Sequence, residues 1–569
     1  MRWVYNALDR EKIIHLGEQL NISEILAGLL LRVGVEAAPE AKDFLYPRLA
    51  HLGDPFLLTG LKKVAQRISE AIDANESIVV FGDYDVDGVT STTLLVDALR
   101  QFGNHPRFVV PRRLKEGYGL SKEAITRALA EGAPTLFIAL DCGTNSVDEI
   151  AHIRSRGTEV IVIDHHRSKE KIPEDCLMVN PHVYEDAEEI RHFCTVGLVF
   201  KVIHGLLKLR REMGDSRAFE IKIKDYLDLV AMGTVADMVP LVAENRVFAS
   251  HGLKILPGTK RPGLRSLMHV SGIRRGDEMR PVDVSFKLGP RINASGRLSD
   301  AALSVELLLS DDAETCSKIA RELDGFNCER QEIERKMTVS ALEQVGERDE
   351  EKAGLVLYGD DWHPGVVGIL ASRLSRKYNC PCIVLGREED LAKGSGRSAN
   401  GINLVEVLAE CGDLLESWGG HPMAVGVSLK TSNVAALQER FAIAVEKACE
   451  AGMEESTIEI AQWLELNQIK NELMNELDLI HPFGQSNEEP VFASKSVQLA
   501  SAPIVFKEHH FRFHLKSKQG RSFAGVAWKM ADSIPPFGEL IDVAYKLSWN
   551  RYNGRKTIQL ELVSWKLAE

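Results

Sequence analysis

The sequence predicts a multidomain α/β chain that ends in an all-β domain, and three patterns carry that expectation. From Ser77, short β-branched apolar runs alternate with amphipathic stretches of helical spacing, as in a parallel sheet covered by helices. A second, shorter α/β unit starts at Leu355. From about Pro490 the spacing changes to period two, with turn residues between short runs. A chain of 569 residues has room for roughly three to five such domains.

The first 50 residues read as helical and poor in chemistry. Strands are expected at Ile78-Val79-Val80-Phe81, Arg107-Phe108-Val109-Val110, Leu136-Phe137-Ile138-Ala139-Leu140 and Val160-Ile161-Val162-Ile163, with helices at 91–102 and 121–131 between them. Residues 221–232 read as helix. So does a long segment at 311–345, where Ile319, Leu323, Phe326, Ile333 and Met337 stand among charges. No heptad is sustained there, so a connecting helix is expected and a coiled coil is not. The second unit offers a strand at Leu355-Val356-Leu357-Tyr358, a helix at 365–378 and a strand at Cys382-Ile383-Val384-Leu385, and it ends near Leu429; a helix follows at 434–451. In the last region Phe511, Phe513 and Leu515 alternate with Arg512, His514 and Lys516, and Asn553-Gly554 gives a strong hairpin signal. A small antiparallel barrel or sandwich is expected. The resulting division is 1–50, 51–310, 311–350 (connecting helix), 351–452, and 453–569 (linker and β domain).

Composition removes several classes. With 44% hydrophobic, 27% charged and 7% aromatic residues, the chain is not collagen-like, mucin-like or wholly disordered. No run approaches ~18 apolar residues, so no membrane span is expected. The N-terminus lacks the pattern of a secretory signal, and the nine cysteines contain no CxxC; both fit a reduced, cytoplasmic protein. The net charge of −13 argues weakly against a nucleic-acid partner, but from Ser501 to Glu569 there are 11 Lys/Arg against 6 Asp/Glu, a locally basic end.

The chemistry gathers at predicted strand ends. Gly82-Asp83-Tyr84-Asp85-Val86-Asp87-Gly88, Asp141-Cys142-Gly143 and Asp164-His165-His166 each follow a strand, and Ala236-Asp237 closes a helical stretch. A single strand-end Asp is commonly a turn former or helix cap. A calcium loop fails because Val96 stands where its liganding Glu should be. Three acidic ends on one edge of a parallel sheet would repel strongly unless neutralised, and carboxylates with imidazoles suit Mn²⁺ or Mg²⁺ better than Zn²⁺. Gly394-Ser395-Gly396-Arg397-Ser398 offers backbone N–H groups, a hydroxyl and a guanidinium, a mix that suits a terminal phosphate but also an ordinary surface turn. Arg291, Asn293 and Arg297 precede a helix that Ser299 could cap, or fix that loop locally. Arg512, His514 and Lys516, with Trp549, Arg551 and Tyr552 near a turn, fit a single-strand-binding face or a solvated basic one.

Together, Asp85-Val86-Asp87-Gly88, Asp141-Cys142-Gly143, Asp164-His165-His166 and Ala236-Asp237 resemble the four motifs of the DHH phosphoesterase superfamily. Downstream segments narrow the resemblance to the RecJ family of single-strand-specific exonucleases: Pro111-Arg112-Arg113-Leu114-Lys115-Glu116-Gly117-Tyr118-Gly119, Gly289-Pro290-Arg291-Ile292-Asn293-Ala294-Ser295-Gly296-Arg297, Trp362-His363-Pro364-Gly365-Val366-Val367-Gly368-Ile369 and Gly419-Gly420-His421-Pro422. The resemblance runs from about residue 25 to the end. It implies a DHH catalytic domain, a DHH-associated domain and an OB fold. It implies two Mn²⁺ or Mg²⁺ ions on Asp85, Asp87, Asp141, His165 and Asp237, with Asp141 as bridge and Asp83 as a further ligand or neighbour. His166 would face the scissile phosphate and Asp164 would orient a histidine. Arg113, Arg291, Asn293 and Arg297 would grip the DNA backbone, Tyr118 would stack a base, Ser395, Arg397 and His421 would bind substrate from the associated domain, and Arg512 and Lys516 would do so from the OB fold. The implied activity is 5′→3′ removal of mononucleotides from single-stranded DNA in repair and recombination, by a cytoplasmic monomer with a single-strand-binding protein and a helicase as candidate partners. Two rivals remain: a small-nucleotide phosphodiesterase, opposed by the OB-like end, and a non-catalytic scaffold, opposed by the intact ligand set. The basic stretch Lys208–Arg211 has no place in this scheme.

Overall fold

The computed structural model describes residues 2–117, 119–168, 171–346, 353–450, 457–517, 520–552 and 555–568. Tyr118 and the Asn553-Gly554 pair lie outside the described residues.

The first domain is built on five parallel strands in the order Arg107–Val109, Ile78–Gly82, Leu136–Leu140, Glu159–Ile163, Leu177–Val179. The last of these was not expected from the sequence. Strands Ile78–Gly82 and Leu136–Leu140 are buried along their whole length, as a sheet with both faces covered requires. Register decides where the chemistry goes. Gly82 lies opposite Leu140 and Leu140 opposite Ile163, so Asp83, Asp141 and Asp164 leave the sheet side by side at one edge. The helix Val86–Gln101 starts earlier than its apolar spacing suggested, because the Asp85 carboxylate caps it by accepting the Gly88 N–H at 3.1 Å.

The helix Ala313–Val345 spans 33 residues, about 50 Å at the helical rise. Cys316, Ile319, Ala320 and Leu323 bury into the core of the first domain, while Met337 and Ala341 bury into that of the second α/β unit. One rigid element therefore belongs to both cores. The second unit is a five-stranded sheet ordered Ser417–His421, Ala424–Lys430, Leu391–Arg397, Cys382–Glu388, Leu355–Gly359, parallel only in its last pair. Here one expectation needs correction. The segment from Gly394 to Arg397 is not a turn but part of a central strand, and Gly419-Gly420-His421 is an edge strand. A Cβ on Gly394 would come 1.8 Å from the Val384 carbonyl oxygen and one on Gly396 2.6 Å from Val425. These glycines serve close strand approach, a need that reads like a turn in sequence.

The C-terminal strands Phe492–Leu499, Ile541–Tyr552, Arg555–Leu567, Ser522–Ala527 and His510–Lys516 form a sheet that closes when the first pairs with the last. Phe511, Phe513 and Leu515 point into this barrel, while Arg512, His514 and Lys516 are exposed. The N-terminal helices do not stand apart. Leu26 and Leu30 share one core with Leu473, Ile480 and Phe492, and an unexpected strand, Arg2–Val4, pairs in parallel with Thr457–Glu459. Lys208–Arg211 proves structural. Lys208 pairs with Asp54 at 2.8 Å, buried Arg210 with Asp73 at 2.8 Å and Asp215 at 2.6 Å, and Arg211 donates to the Ala218 carbonyl.

Candidate active site

At the aligned strand ends Asp83, Asp87, Asp141 and Asp164 are buried, and Asp85, His165, His166 and Asp237 are half-buried beside them. Asp237 comes from the end of the helix Leu227–Ala236. That helix must pass close to Asp87, since a Cβ on Gly233 would lie 3.0 Å from its Oδ1. Three groups have ligand atoms within 4.8 Å of one another: Asp83, Asp85 and Asp141; Asp141, His165 and His166; Asp87, His165 and Asp237. His165 Nε2 lies 3.4 Å from Asp141 Oδ1 and 3.7 Å from Asp237 Oδ2.

Burial, reinforced by neighbouring carboxylates, pushes Asp83 and Asp141 well above the usual carboxylate range and Asp237 up to about 7. Among the described residues, neither side-chain oxygen of buried Asp83 has a hydrogen-bond partner. Desolvated carboxylates that repel one another are what divalent cations with oxygen and imidazole ligands would relieve. The residues fit such ions. Asp164 behaves differently. Burial would raise it, but it accepts from His166 Nδ1 at 2.7 Å and from the N–H groups of Thr144, His165 and His166, and stays far below the usual range. Burial would lower His166, but the Asp164 hydrogen bond and charge lift it to about 9. The bond to Asp164 thus fixes the orientation of the His166 ring.

A cleft of about 640 Å³ starts at Thr234–Ala236, just before Asp237, and runs past Asn293, Arg297 and Arg330 to Ile369 and Phe483. Asn293 Oδ1 is buried there and has no hydrogen-bond partner among the described residues. Arg291, Asn293 and Arg297 lie within the helix Gly289–Leu298, not before one, and Ser299 ends that helix; Pro290 at its first turn sets the start. Arg297 Nη1 donates to the Gly365 carbonyl at 2.7 Å, and burial with Arg113 nearby lowers it to about 10. Arg113 lies 5.1 Å from the Tyr84 ring centre. Ser395 and Arg397 meet the first turn of the helix Val367–Tyr378: a Cβ on Gly368 would lie 3.3 Å from Ser395 Oγ and 3.4 Å from Arg397 Nη2. Burial, then Arg113, also lowers Arg397. Among the described residues, Arg113, Arg297 and Arg397 have no carboxylate partner.

Other expected residues are not brought into this cleft. Arg291 is spent on Asp324 at 2.8 Å and on the Lys287 carbonyl at 2.7 Å. His421 sits exposed on the edge strand. On the barrel Arg512 covers the Phe506 ring at 4.9 Å, Trp549 Nε1 donates to Asp478 at 3.0 Å, and Arg551 pairs with Glu278. Two close participants lie outside every motif read from the sequence: Arg330 on the connecting helix, and Thr195, whose N–H and hydroxyl reach Asp87 and Asp141.

The sequence matches the families described as DHH family, N-terminal domain, over residues 77–234, DHHA1 domain over 351–447 and RecJ OB domain over 460–564. It is similar to the single-stranded-DNA-specific exonuclease RecJ of Bacillus subtilis (strain 168), at 36% identity across 100% of this chain and 71% of that protein. The RecJ of Dickeya dadantii is also 36% identical, over 95% of this chain and 96% of its own. Two solved structures of the Thermus thermophilus RecJ superpose over the whole chain. The Mn²⁺ complex gives a TM-score of 0.85 at 29% identity, covering 80% of that chain. The Mg²⁺ complex gives 0.79 at 28%, covering 79%. With its three domains matched in order and relatives above 30% identity over nearly all of this chain, the chain belongs to the RecJ family of DHH phosphoesterases.

Proposed function

We propose that this chain is a metal-dependent exonuclease that removes mononucleotides from the 5′ end of single-stranded DNA. The observation that carries the reading is the buried carboxylate–imidazole cluster, whose Asp237 follows directly on the Thr234–Ala236 wall of a cleft that holds Arg297, a guanidinium with no carboxylate partner among the described residues. Asp85, Asp87, Asp141, His165 and Asp237, with Asp83, would hold Mn²⁺ or Mg²⁺. Bound there, such ions activate water for in-line attack on phosphorus and neutralise charge on the phosphate oxygens.

The protein's own groups supply the rest. His166, held through Nδ1 by Asp164, would when protonated present its remaining ring N–H as a donor to the scissile phosphate. Ser395, Arg397 and the opening turn of the helix Val367–Tyr378 suit a terminal phosphate. A terminal phosphate held there, one nucleotide from the acidic edge, would set a one-nucleotide product. Arg297 and Asn293 line the path of the following strand. A single strand can enter a cleft between two domains joined by a rigid helix; a duplex is wider and stiffer. The barrel's exposed Arg512 and Lys516 would hold the distal strand.

The test is a single strand labelled at either end and incubated with Mn²⁺ or Mg²⁺. Expected is release of the 5′ label as a mononucleotide, no reaction in chelator and no digestion of blunt duplex. Initial loss of the 3′ label would overturn the polarity, and efficient duplex digestion the cleft argument.

A further inference from the structure

We infer that Thr195 is the positioning residue that holds Asp141 as a bridge between the candidate metal groups, an inference that rests on the metal reading above. Thr195 is fully buried and opens the 18-residue helix Thr195–Glu212. Cys194, at the cap position of that helix, provides no side-chain cap. Asp87 does so instead, from 108 residues earlier: its Oδ2 accepts the Thr195 N–H at 2.7 Å and its Oδ1 the Val196 N–H at 2.8 Å. The Thr195 hydroxyl donates to Asp141 Oδ1 at 2.9 Å. A carboxylate only accepts, so the direction of this bond is fixed.

Asp141 needs such an anchor. Its φ is +61°, a left-handed conformation just beyond the strand Leu136–Leu140, so the pleat does not aim its side chain. Among the described residues the Thr195 hydroxyl comes nearest to Asp141 Oδ1; His165 Nε2 at 3.4 Å and His166 Nδ1 at 4.0 Å approach the same oxygen less closely. Asp141 belongs to two of the three ligand groups, and Asp87 to the third. One residue therefore fixes carboxylates of all three groups, Asp87 through its backbone and Asp141 through its side chain. The two functions are separable, because Thr195→Val keeps the N–H and the β-branched shape and removes only the hydroxyl.

The full-length chain, stripped of metal, is titrated with Mn²⁺ alone by calorimetry and by electron paramagnetic resonance. Wild type should bind two ions with a spin-coupled spectrum. Thr195→Val should keep one site at wild-type affinity, weaken the second roughly ten- to a hundredfold, as loss of a hydrogen bond to a charged group does, and give the six-line spectrum of an isolated ion at low loading. Thr195→Ser should restore both ions and the coupling. Thr195→Ala repeats the measurement without the hydroxyl, and the result is taken from whichever variant keeps wild-type circular dichroism. Two tight, coupled ions in the hydroxyl-free variant would overturn the role of Thr195, as would a Ser variant as defective as Val. A different failure would strike the metal reading itself: wild type that binds no Mn²⁺, or Asp141→Ala that binds it as wild type does.

Discussion

Arg397→Ala separates recognition of a terminal phosphate from general attraction to DNA. Arg397 is half-buried beside Arg113, and no carboxylate among the described residues offsets it. Its Nη1 is engaged by the Gly396 carbonyl at 2.8 Å, which leaves Nη2, against Gly368 and Ser395, to reach a ligand. One charge-assisted hydrogen bond is worth about 1.5–3 kcal/mol, or roughly ten- to 150-fold in kcat/KM. The loss should fall on 5′-phosphorylated strands and largely spare 5′-hydroxyl strands of the same sequence. A cycle of protein variant against substrate phosphate, measured at saturating Mn²⁺, isolates that coupling. Arg397→Lys should recover only part of it, because a point charge lacks the planar fork. Coupling below about 0.5 kcal/mol, within the ordinary error of additivity, would show that Arg397 does not read the terminal phosphate.

Three further outcomes are expected. Asp141→Ala should abolish hydrolysis at any Mn²⁺ concentration yet retain single-strand binding in a filter or anisotropy assay, because the guanidinium contacts lie elsewhere; appreciable turnover would contradict its bridging place. Arg512→Ala with Lys516→Ala should weaken binding of long strands and lower the slope of log affinity against log salt by up to about 1.4, at ~0.7 per single-strand phosphate contact; an unchanged slope would remove the exposed face of the barrel from the DNA path. Burial, with Lys201 nearby, depresses His204 to about 4, whereas an unfolded histidine titrates near ~6.5. Its contribution to stability is therefore complete above about pH 6.5 and is lost as pH falls toward 4. Urea unfolding at pH 7.5 and 5 should show wild type losing more stability than His204→Gln, and equal losses would refute the assignment.

What the sequence made legible was local or repeated, and what it hid was long-range. The acidic edge could be foreseen because three strands of one parallel sheet each end in an aspartate, and the register of Gly82, Leu140 and Ile163 then turns sequence position into proximity. The connecting helix was legible from its length alone. The glycines of residues 394–396 misled because glycine marks both a turn and a close approach; only the distance from Gly394 to the Val384 carbonyl tells them apart. Apolar spacing in residues 1–50 revealed buried faces but could not reveal that they pack on Phe492 and Leu473, more than 400 positions away. Arg291 and Arg297 stand six residues apart in one motif, yet Asp324 takes the first out of the cleft while the second faces it. Thr195 is the sharpest case. Nothing in Cys194-Thr195-Val196 signals chemistry, because its role arises when a helix N-terminus arrives beside carboxylates set by two other strands. A motif lists the groups that do the chemistry; the residues that aim them are chosen by the fold.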